Sequence, residues 1–587
     1  MLPLLWEGKS FIRANGTGMS QITERKLVQT KEALKEGFGE VQEYYNPLYE
    51  KLTIQGHVLA PDGRRTPCKE IQDNSVTGDD ASYADIHVVT MTPPQLTVGS
   101  ILEWTVTRVR NKPHIRGAYS EEVRLDPWRA PLKHLHYSVQ VDKDIPLVVS
   151  LSNGAPPATI TKKRGQLIYA WDLENLEGIQ EEPKMPPYGR VSRKVTVNLW
   201  KEWEPLDKYF WPLIQKTIEP SPAIRKLADD LTRDTSIIDV KIQNIYNYID
   251  DNVRYVSMDI GRSGYIPHRP EETLKNKYGD CKDRTVLAMA LLKSIGVNSY
   301  ACLFASDGLA PNLAIPTPRH FNHMISAVDF EGLHFVESTD GSYPYRELHP
   351  GLDGGHIFLV DGKGGRLIDL PYADVEKTDM TDRLIANLKD DGSATVEDSG
   401  IIFREGIGSL RMEFRRMFSN SPEKVEKVTQ QWMGDLFPGI KGAVLKVTGE
   451  KDRFGPIHVI VRGEVPGFAN RSGRLLTVDV DSKDGRNYFT EPTRLHPIWF
   501  TTARRKEINR TYHIPPGFTM EFIPPNVTKK SEFLEFTRIY NVLPGLIEIT
   551  EVEKNLPARL PATEYERVKV FYESLQKETE GKIVLRR

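Results

Sequence analysis

The stretch Lys277-Tyr-Gly-Asp-Cys-Lys-Asp-Arg-Thr-Val-Leu-Ala-Met-Ala-Leu-Leu-Lys-Ser-Ile-Gly-Val297 decides the fold at the centre of this chain. It predicts a helix that starts just after a turn, with Cys281 in its first turn and Gly296 just past its end. The later helical residues are largely apolar, so we expect the helix to be buried. The N–H groups and the dipole at a helix N-terminus favour a thiolate, which is the reactive form of cysteine.

Two further helices and a small sheet are predicted around this segment. From about Pro220 the apolar residues recur with the helical period, at Ile224, Leu227, Leu231, Ile238, Ile242, Ile245, Ile249 and Val253. Residues 297–304, 324–330 and 333–336 have the composition of strands, and Glu331-Gly332 forms the turn between the last two. The centre of the chain is therefore predicted to be helices packed on an antiparallel sheet.

A thiolate nucleophile also needs an imidazole to hold the ion pair and to pass a proton to the leaving amine. His323 is the candidate, because it opens a strand of the predicted sheet. Either Glu337 or Asp340 could orient the imidazole. A two-residue hairpin turn would put residue 340 opposite His323, whereas a three-residue loop would put residue 337 on the same face as His323.

Three segments in this order resemble the transglutaminase-like superfamily, which includes tissue transglutaminases, bacterial cysteine peptidases and peptide N-glycanases. They are Tyr278-Gly-Asp-Cys-Lys-Asp283, Phe321-Asn-His-Met-Ile325 and Phe335-Val-Glu-Ser-Thr-Asp340. The resemblance implies a papain-like fold and an oxyanion held by the Cys281 N–H together with an upstream side chain, for which Tyr255 is the candidate. The family usually has Asp where this chain has Glu337, and the longer side chain could still reach the imidazole.

The flanking regions are rich in strands. Alternating runs and turn residues over about 27–199 predict a β-sandwich, and the chain is strand-rich again from about Asp379, with a short helix near the end. We therefore predict an α+β multidomain protein, with a β-rich sandwich-like domain at 1–205, a papain-like transglutaminase core at 206–375 and a β-rich domain at 376–587.

The flanks also resemble a bacterial subgroup that carries domains of unknown function on both sides of the transglutaminase-like core. The segments that carry this likeness are Asn46-Pro-Leu-Tyr-Glu-Lys51, Ala60-Pro-Asp-Gly63 and Leu560-Pro-Ala-Thr-Glu-Tyr565. Members of the subgroup are usually exported, which implies a periplasmic or extracytoplasmic location. The start of the chain lacks the pattern of a signal peptide, so a cytoplasmic location is the alternative.

Composition excludes several classes of protein. The 78 basic and 80 acidic residues are balanced, which argues against nucleic acid as a partner, and no apolar run is long enough for a membrane span. The three cysteines form neither a disulfide scaffold nor a CxxC metal pair. We expect Cys302 to pack within an apolar strand and Cys68, which follows Thr-Pro in a turn, to have no role in the chemistry. The pair His320 and His323 lacks a third ligand, so no metal is predicted and no cofactor is required.

Two functions fit these features. The first is a cysteine enzyme that breaks amide bonds of peptides or proteins to form a thioester and then passes the acyl group to water or to an amine. The second is a catalytically inactive transglutaminase-like protein that binds or scaffolds partners through its β-rich flanks. The change to Glu337 motivates this alternative. The sequence does not indicate the oligomeric state.

Overall fold

The computed structural model describes residues 1–587 except 36–39, 77–85, 114, 116, 257–265, 306–314, 405 and 481–487. The chain forms two compact units. The first consists of residues 1–181, 187–339 and 355–369, and the second of residues 182–186, 340–354 and 370–587. The chain forms several separate sheets together with helices, which confirms the predicted α+β multidomain fold.

The N-terminal part of the first unit is built on an eight-stranded sheet. In spatial order its strands are Thr159–Lys163, Gln166–Leu176, Leu132–Asp142, Leu2–Ile12, Gly18–Leu27, Ile101–Arg110, Glu50–Leu59 and Arg65–Pro67. Two three-stranded sheets accompany it, with the orders Val41–Tyr45, His87–Thr92, Glu70–Ser75 and Val148–Ser152, Lys194–Asn198, Ser120–Arg124. Short helices span Glu32–Lys35 and Tyr188–Val191.

The β-like region begins earlier than its predicted start near Leu27. The strands Leu2–Ile12 and Gly18–Leu27 lie inside the large sheet, each paired on both edges. The second of these strands has few apolar residues, and most of its side chains are only partly buried. Pairing with neighbouring strands stabilises this strand. The pattern of apolar residues in one segment does not show which strands will lie beside it.

In its described residues, the rest of the first unit contains five α-helices, a five-stranded sheet and a short pair of strands, Arg254–Tyr255 with Tyr278–Gly279. The helices are Glu204–Thr217, Pro222–Thr232, Ile238–Asn252, Pro270–Asn276 and Cys281–Ser294. The strand order of the sheet is Leu333–Val336, His323–Asp329, Asn298–Phe304, His356–Val360 and Arg366–Asp369. The helix Cys281–Ser294 packs on two central strands of this sheet and is buried on nearly every side, as predicted. Helix Glu204–Thr217 was not predicted, because two prolines interrupt its apolar pattern.

The hairpin before Glu337 has the longer of the two predicted connections. Ser326 pairs with Val336 and Asp329 with Leu333, so residues 330–332 form a three-residue loop. Glu331 and Gly332 both have positive φ values, of 52° and 118°. This register puts residue 337 beyond the end of its strand on the same face as His323.

The second unit contains another eight-stranded sheet, with the order Lys441–Thr448, Ile457–Val465, Ala394–Ile402, Met380–Leu388, Arg504–His513, Leu546–Asn555, Leu534–Leu543 and Val527–Lys530. A four-stranded sheet has the order Asn470–Ser472, Leu475–Asp479, Lys582–Arg586 and Thr519–Phe522, and a two-stranded sheet pairs Ile498–Phe500 with Ala558–Leu560. The helices are Ile407–Phe418, Pro422–Leu436 and Tyr565–Thr579.

Two of these helices were not predicted from the sequence. Only the terminal helix was expected, yet Ile407–Phe418 and Pro422–Leu436 interrupt the strand-rich region. Phe414 and Met417 pack against Val459 of the large sheet. These helices are amphipathic surface elements, and their apolar faces are too narrow to stand out among the neighbouring strand patterns.

Candidate active site

The helix that starts at Cys281 is capped by its own first residues. Asp280 is the N-cap, and its Oδ1 accepts a hydrogen bond from the Asp283 N–H at 3.1 Å, while the Asp283 side chain accepts one from the Asp280 N–H at 3.3 Å. Gly279 permits the close approach this needs, since a Cβ there would lie 2.8 Å from the Asp283 Cβ. This reciprocal capping fixes the chain on both sides of Cys281.

Cys281 and His323 are brought together and are almost completely buried. They expose 1% and 8% of their surfaces, respectively. Burial lowers the pKa of His323, but hydrogen bonds to Cys281 and Glu337 together with their negative charges raise it to about 10. At neutral pH the imidazole is therefore cationic when it faces a thiolate.

Glu337 is the carboxylate that contacts the imidazole. Its Oε2 lies 2.8 Å from the Nε2 of His323. Its other oxygen, Oε1, accepts hydrogen bonds from the N–H and the hydroxyl of Thr339, at 2.9 and 2.6 Å. Although burial would raise the pKa of Glu337, the hydrogen bond and charge of His323 hold it below its ordinary value. The carboxylate is thus ionised and fixed in orientation.

Among the other predicted site residues, Asp340 contacts a different histidine, the Nε2 of His349, at 3.1 Å. Burial would raise the pKa of Asp340, but hydrogen bonds from His349 and Ser342 together with the charge of His349 lower it to about 2. Tyr255 is 36% exposed and lies on a two-residue strand paired with Tyr278–Gly279, beside the segment that leads into Cys281. Its role as an oxyanion donor stays a prediction. His320 Nε2 lies 2.9 Å from the Ile315 carbonyl oxygen, and burial lowers the pKa of His320 to about 4.

Several supporting residues were missed by the sequence interpretation. The Thr285 hydroxyl lies 2.9 Å from the Ser338 hydroxyl, so the cysteine helix is tied to the segment that carries Glu337. His268 contacts Asp283 through Nδ1 at 3.0 Å, and this hydrogen bond raises the pKa of His268. The spacing of Asp280 and Asp283 matches a capping pair and was visible in the sequence. The other contacts join distant segments, and no local pattern indicates them.

Lys282 and Asp280 form a buried ion pair next to Cys281, with side chains that are 3% and 0% exposed. Replacing Lys282 with methionine keeps most of the side-chain volume but leaves the Asp280 carboxylate buried without its cation. We expect Lys282→Met to lower the free energy of unfolding by about 3 to 5 kcal/mol at pH 8. The loss is smaller at pH 5, because burial already raises the pKa of Asp280 and the carboxyl can take up a proton.

Lys293 provides a matched control on the same helix. Its ion pair with Glu219 lies at the surface, with side chains that are 39% and 63% exposed. Lys293→Met should therefore change stability by no more than about 1 kcal/mol. Urea unfolding at both pH values measures the difference, and equal losses in the two variants would contradict a structural role for the buried pair.

The titration of His323 provides a second prediction. Its pKa of about 10 lies above the ordinary value of 6.5, so the protonated imidazole stabilises the fold fully below pH 6.5, and that contribution is lost as the pH rises through about 10. Cys281→Ala and Glu337→Gln each remove a group that raises the pKa of His323, so both should lower it. Nitrogen NMR of histidine-labelled protein measures this, with His323→Asn used to assign the signal. A wild-type midpoint near 6.5 would contradict the expected ion pair.

A cysteine at the N-terminus of a buried helix, an imidazole on a neighbouring strand and a carboxylate behind that imidazole make up the arrangement of papain-like cysteine enzymes. The family comparisons agree. Residues 225–303 match the model of the transglutaminase-like superfamily, and residues 14–180 and 476–585 match two domains of unknown function, DUF3857 and DUF3858. The chain therefore carries a transglutaminase-like core between two domains of unknown function. The core match includes Cys281 and ends before His323.

Among the solved structures that match is one that covers the whole chain. It is a protein of Parabacteroides distasonis named as a "putative protease", with 14% sequence identity, a TM-score of 0.69 and coverage of 100% of this chain and 99% of that one. At this identity the likeness shows the shared fold alone. A "putative cysteine protease" of Cytophaga hutchinsonii (12% identity, TM-score 0.16, 55% of this chain and 75% of that one) and an M1 zinc metallopeptidase of Deinococcus radiodurans (11%, 0.19, 33% and 42%) are too dissimilar to support an argument.

A search of curated proteins finds no match. Within the described ranges, no helix has the length and apolar character needed to cross a membrane. Those same ranges contain no group of three or more histidine, cysteine or acidic side chains arranged to hold a metal ion.

Proposed function

We propose that the protein is a cysteine peptidase or amidase in which Cys281 is the nucleophile, His323 the base and Glu337 the orienting carboxylate. The observation that carries this proposal is the position of one imidazole between the Cys281 sulfur and the Glu337 carboxylate, 2.8 Å from the latter. Because Glu337 takes Nε2, we infer that Nδ1 faces the sulfur. A cationic imidazole in this position stabilises the thiolate and holds the proton that the leaving group needs.

In the first step the thiolate attacks an amide carbonyl carbon, and the carbonyl electron pair moves to the oxygen. The N–H of Cys281, in the first turn of the helix, lacks an intrahelical acceptor and is suited to bind that oxyanion. His323 then gives its proton to the amine nitrogen as the C–N bond breaks, which leaves a thioester on Cys281. Neutral His323 next takes a proton from water, whose oxygen attacks the thioester and releases the acid and the thiolate.

Hydrolysis is the preferred outcome over acyl transfer to an amine, because no second cleft for an amine has been identified from the sequence. The inactive binding or scaffolding protein is the alternative. The reason for this alternative was that Glu337 replaces the usual aspartate. The 2.8 Å contact between Glu337 and His323 weakens that reason, because the glutamate still reaches the imidazole.

Trapping of the thioester tests the proposal. The protein is incubated with a mixed set of unmodified peptides, quenched in acid and analysed by mass spectrometry for an acyl group on Cys281. Hydroxylamine should release that group as a hydroxamate. The control is Cys302→Ala, which removes a buried cysteine in the strand Asn298–Phe304 and should acylate normally. A protein that turns over peptides without an adduct on Cys281 in any condition would contradict the thioester route.

A further inference from the structure

A cleft of about 540 Å³ lies in the first unit, among parts of the chain that the proposed chemistry does not use. Its lining includes Tyr44, Tyr45, Arg108, Arg110, Tyr119 and Arg319. This volume lies within the range of clefts that bind small ligands or short peptide segments. We call it the arginine cleft.

Two carboxylates of the cleft form ion pairs with the same arginine. Glu50 and Glu43 both pair with Arg108, the latter at 3.3 Å. Glu50 lies opposite Arg110 in the strand register, yet its side chain contacts Arg108 instead. Arg108 therefore neutralises the charges of Glu43 and Glu50.

Arg110 and Arg319 lack such a partner within the described part of the chain. The guanidinium of Arg110 lies 4.8 Å from the centre of the Tyr119 ring, and no carboxylate among the described residues pairs with it. Arg319 has no carboxylate partner there either, and its backbone N–H is held by Thr317. A guanidinium presents a planar fork of donors that matches a carboxylate, so these two side chains give the cleft a preference for that group.

The cleft is also joined to the segment that precedes His323. Asn198, a buried lining residue, donates a hydrogen bond from Nδ2 to the carbonyl oxygen of Pro316 at 2.5 Å. Pro318 and Arg319 form part of the wall, in the turn Pro318–His320 that leads to the strand of His323. The tyrosines supply flat surfaces and polar edges of the kind that peptide ligands contact.

We propose that the arginine cleft binds the carboxylate of a peptide through Arg110 and Arg319. The assignment to a peptide rests on the proposed peptidase function, whereas the preference for a carboxylate does not depend on it. The carboxylate can come from the C-terminus of the peptide or from an acidic side chain.

Isothermal titration calorimetry on the full chain with Cys281→Ala tests this without turnover. The probes are N-acetyl-Gly-Ala-Tyr-Gly-Ala with a free C-terminal carboxylate, the same peptide as its C-terminal amide, and an amide in which glutamate replaces the last alanine. The free acid should bind roughly tenfold or more tightly than the amide. If the glutamate amide regains this affinity, a side-chain carboxylate suffices. If it does not, the C-terminus is the source.

Arg110→Gln and Arg319→Gln should each weaken binding of the free acid roughly tenfold and leave the amide unchanged. Arg110→Lys keeps the charge without the fork and should give a smaller loss. Arg64→Gln, at a side chain that is 75% exposed and outside the cleft, is the matched control and should bind like the parent. Thermal melting verifies folding of each variant.

Equal affinity for acid and amide, unchanged affinity in both glutamine variants, or no binding of any probe would each overturn the proposal. Because Cys281 is absent from the tested protein, these outcomes are separate from the thioester experiment. If the thioester experiment failed while carboxylate binding was intact, the peptidase proposal would be rejected and the carboxylate-binding proposal would stand.

Discussion

Replacing Cys281 with alanine is expected to abolish hydrolysis of any peptide that the wild-type protein cleaves, with a loss of at least about 10⁴-fold in rate. Alanine lacks the sulfur that forms the covalent bond, and neither His323 nor Glu337 can replace it as a nucleophile. Because the residue is small and lies in a helix, where alanine is favourable, the fold should persist. Peptide hydrolysis followed by mass spectrometry measures the loss, and circular dichroism verifies the fold.

The other two cysteines are matched controls for this substitution. Cys68 and Cys302 are also buried, and neither belongs to the proposed mechanism. Cys68→Ala and Cys302→Ala should keep wild-type hydrolysis, apart from the modest destabilisation that a small cavity causes. If Cys281→Ala hydrolysed peptides at the wild-type rate, Cys281 would have no part in the mechanism.

Replacing His323 with alanine is expected to have a similarly large effect, a loss of about 10³- to 10⁴-fold in hydrolysis. The variant loses both the cation that stabilises the thiolate and the proton for the leaving amine. Alkylation of Cys281 by iodoacetamide at pH 7 should also slow roughly thirtyfold, since an ordinary thiol is only about 3% ionised at that pH. The alkylation assay needs no known substrate.

Variants at the two carboxylates, Glu337 and Asp340, test which of them orients His323. Glu337→Gln keeps a hydrogen-bonding side chain but removes the charge, so it should reduce hydrolysis by less than His323→Ala does. Glu337→Asp shortens the reach to the Nε2 of His323, which is now 2.8 Å away, and restores the residue usual in the family. Asp340→Asn should leave hydrolysis unchanged, because Asp340 hydrogen-bonds His349. A larger loss in Asp340→Asn than in Glu337→Gln would contradict the assignment.

The sequence predicted the parts of this fold that depend on local patterns. The buried helix from Cys281, the two amphipathic helices before it and the strand of His323 all have strong periodicity or clear end signals, and the structure confirms them. The comparisons likewise confirm the transglutaminase-like core and its two flanking domains. The three-domain boundaries stay a prediction.

What the sequence could not decide depends on contacts between distant segments. Whether Glu337 or Asp340 lies beside the imidazole depended on one residue of loop length in the hairpin. The helices between Ile407 and Leu436 were missed because they interrupt a region that is otherwise rich in strand patterns, and helix Glu204–Thr217 was missed because prolines interrupt its pattern. The role of Thr339 in holding Glu337 follows only from the folded geometry.

The most direct test of the central claim, a thiolate on Cys281 paired with cationic His323, is the rate of iodoacetamide alkylation of Cys281 from pH 5 to pH 10. Because Cys281 is only 1% exposed, limited access can slow the reaction at every pH, but it does not move the midpoint of the profile. We expect the pH–rate profile to shift to higher pH in His323→Ala, because the variant lacks the cation that stabilises the thiolate. A wild-type midpoint at or above 8.5, unchanged in His323→Ala, would contradict the proposed thiolate and the enzyme that depends on it.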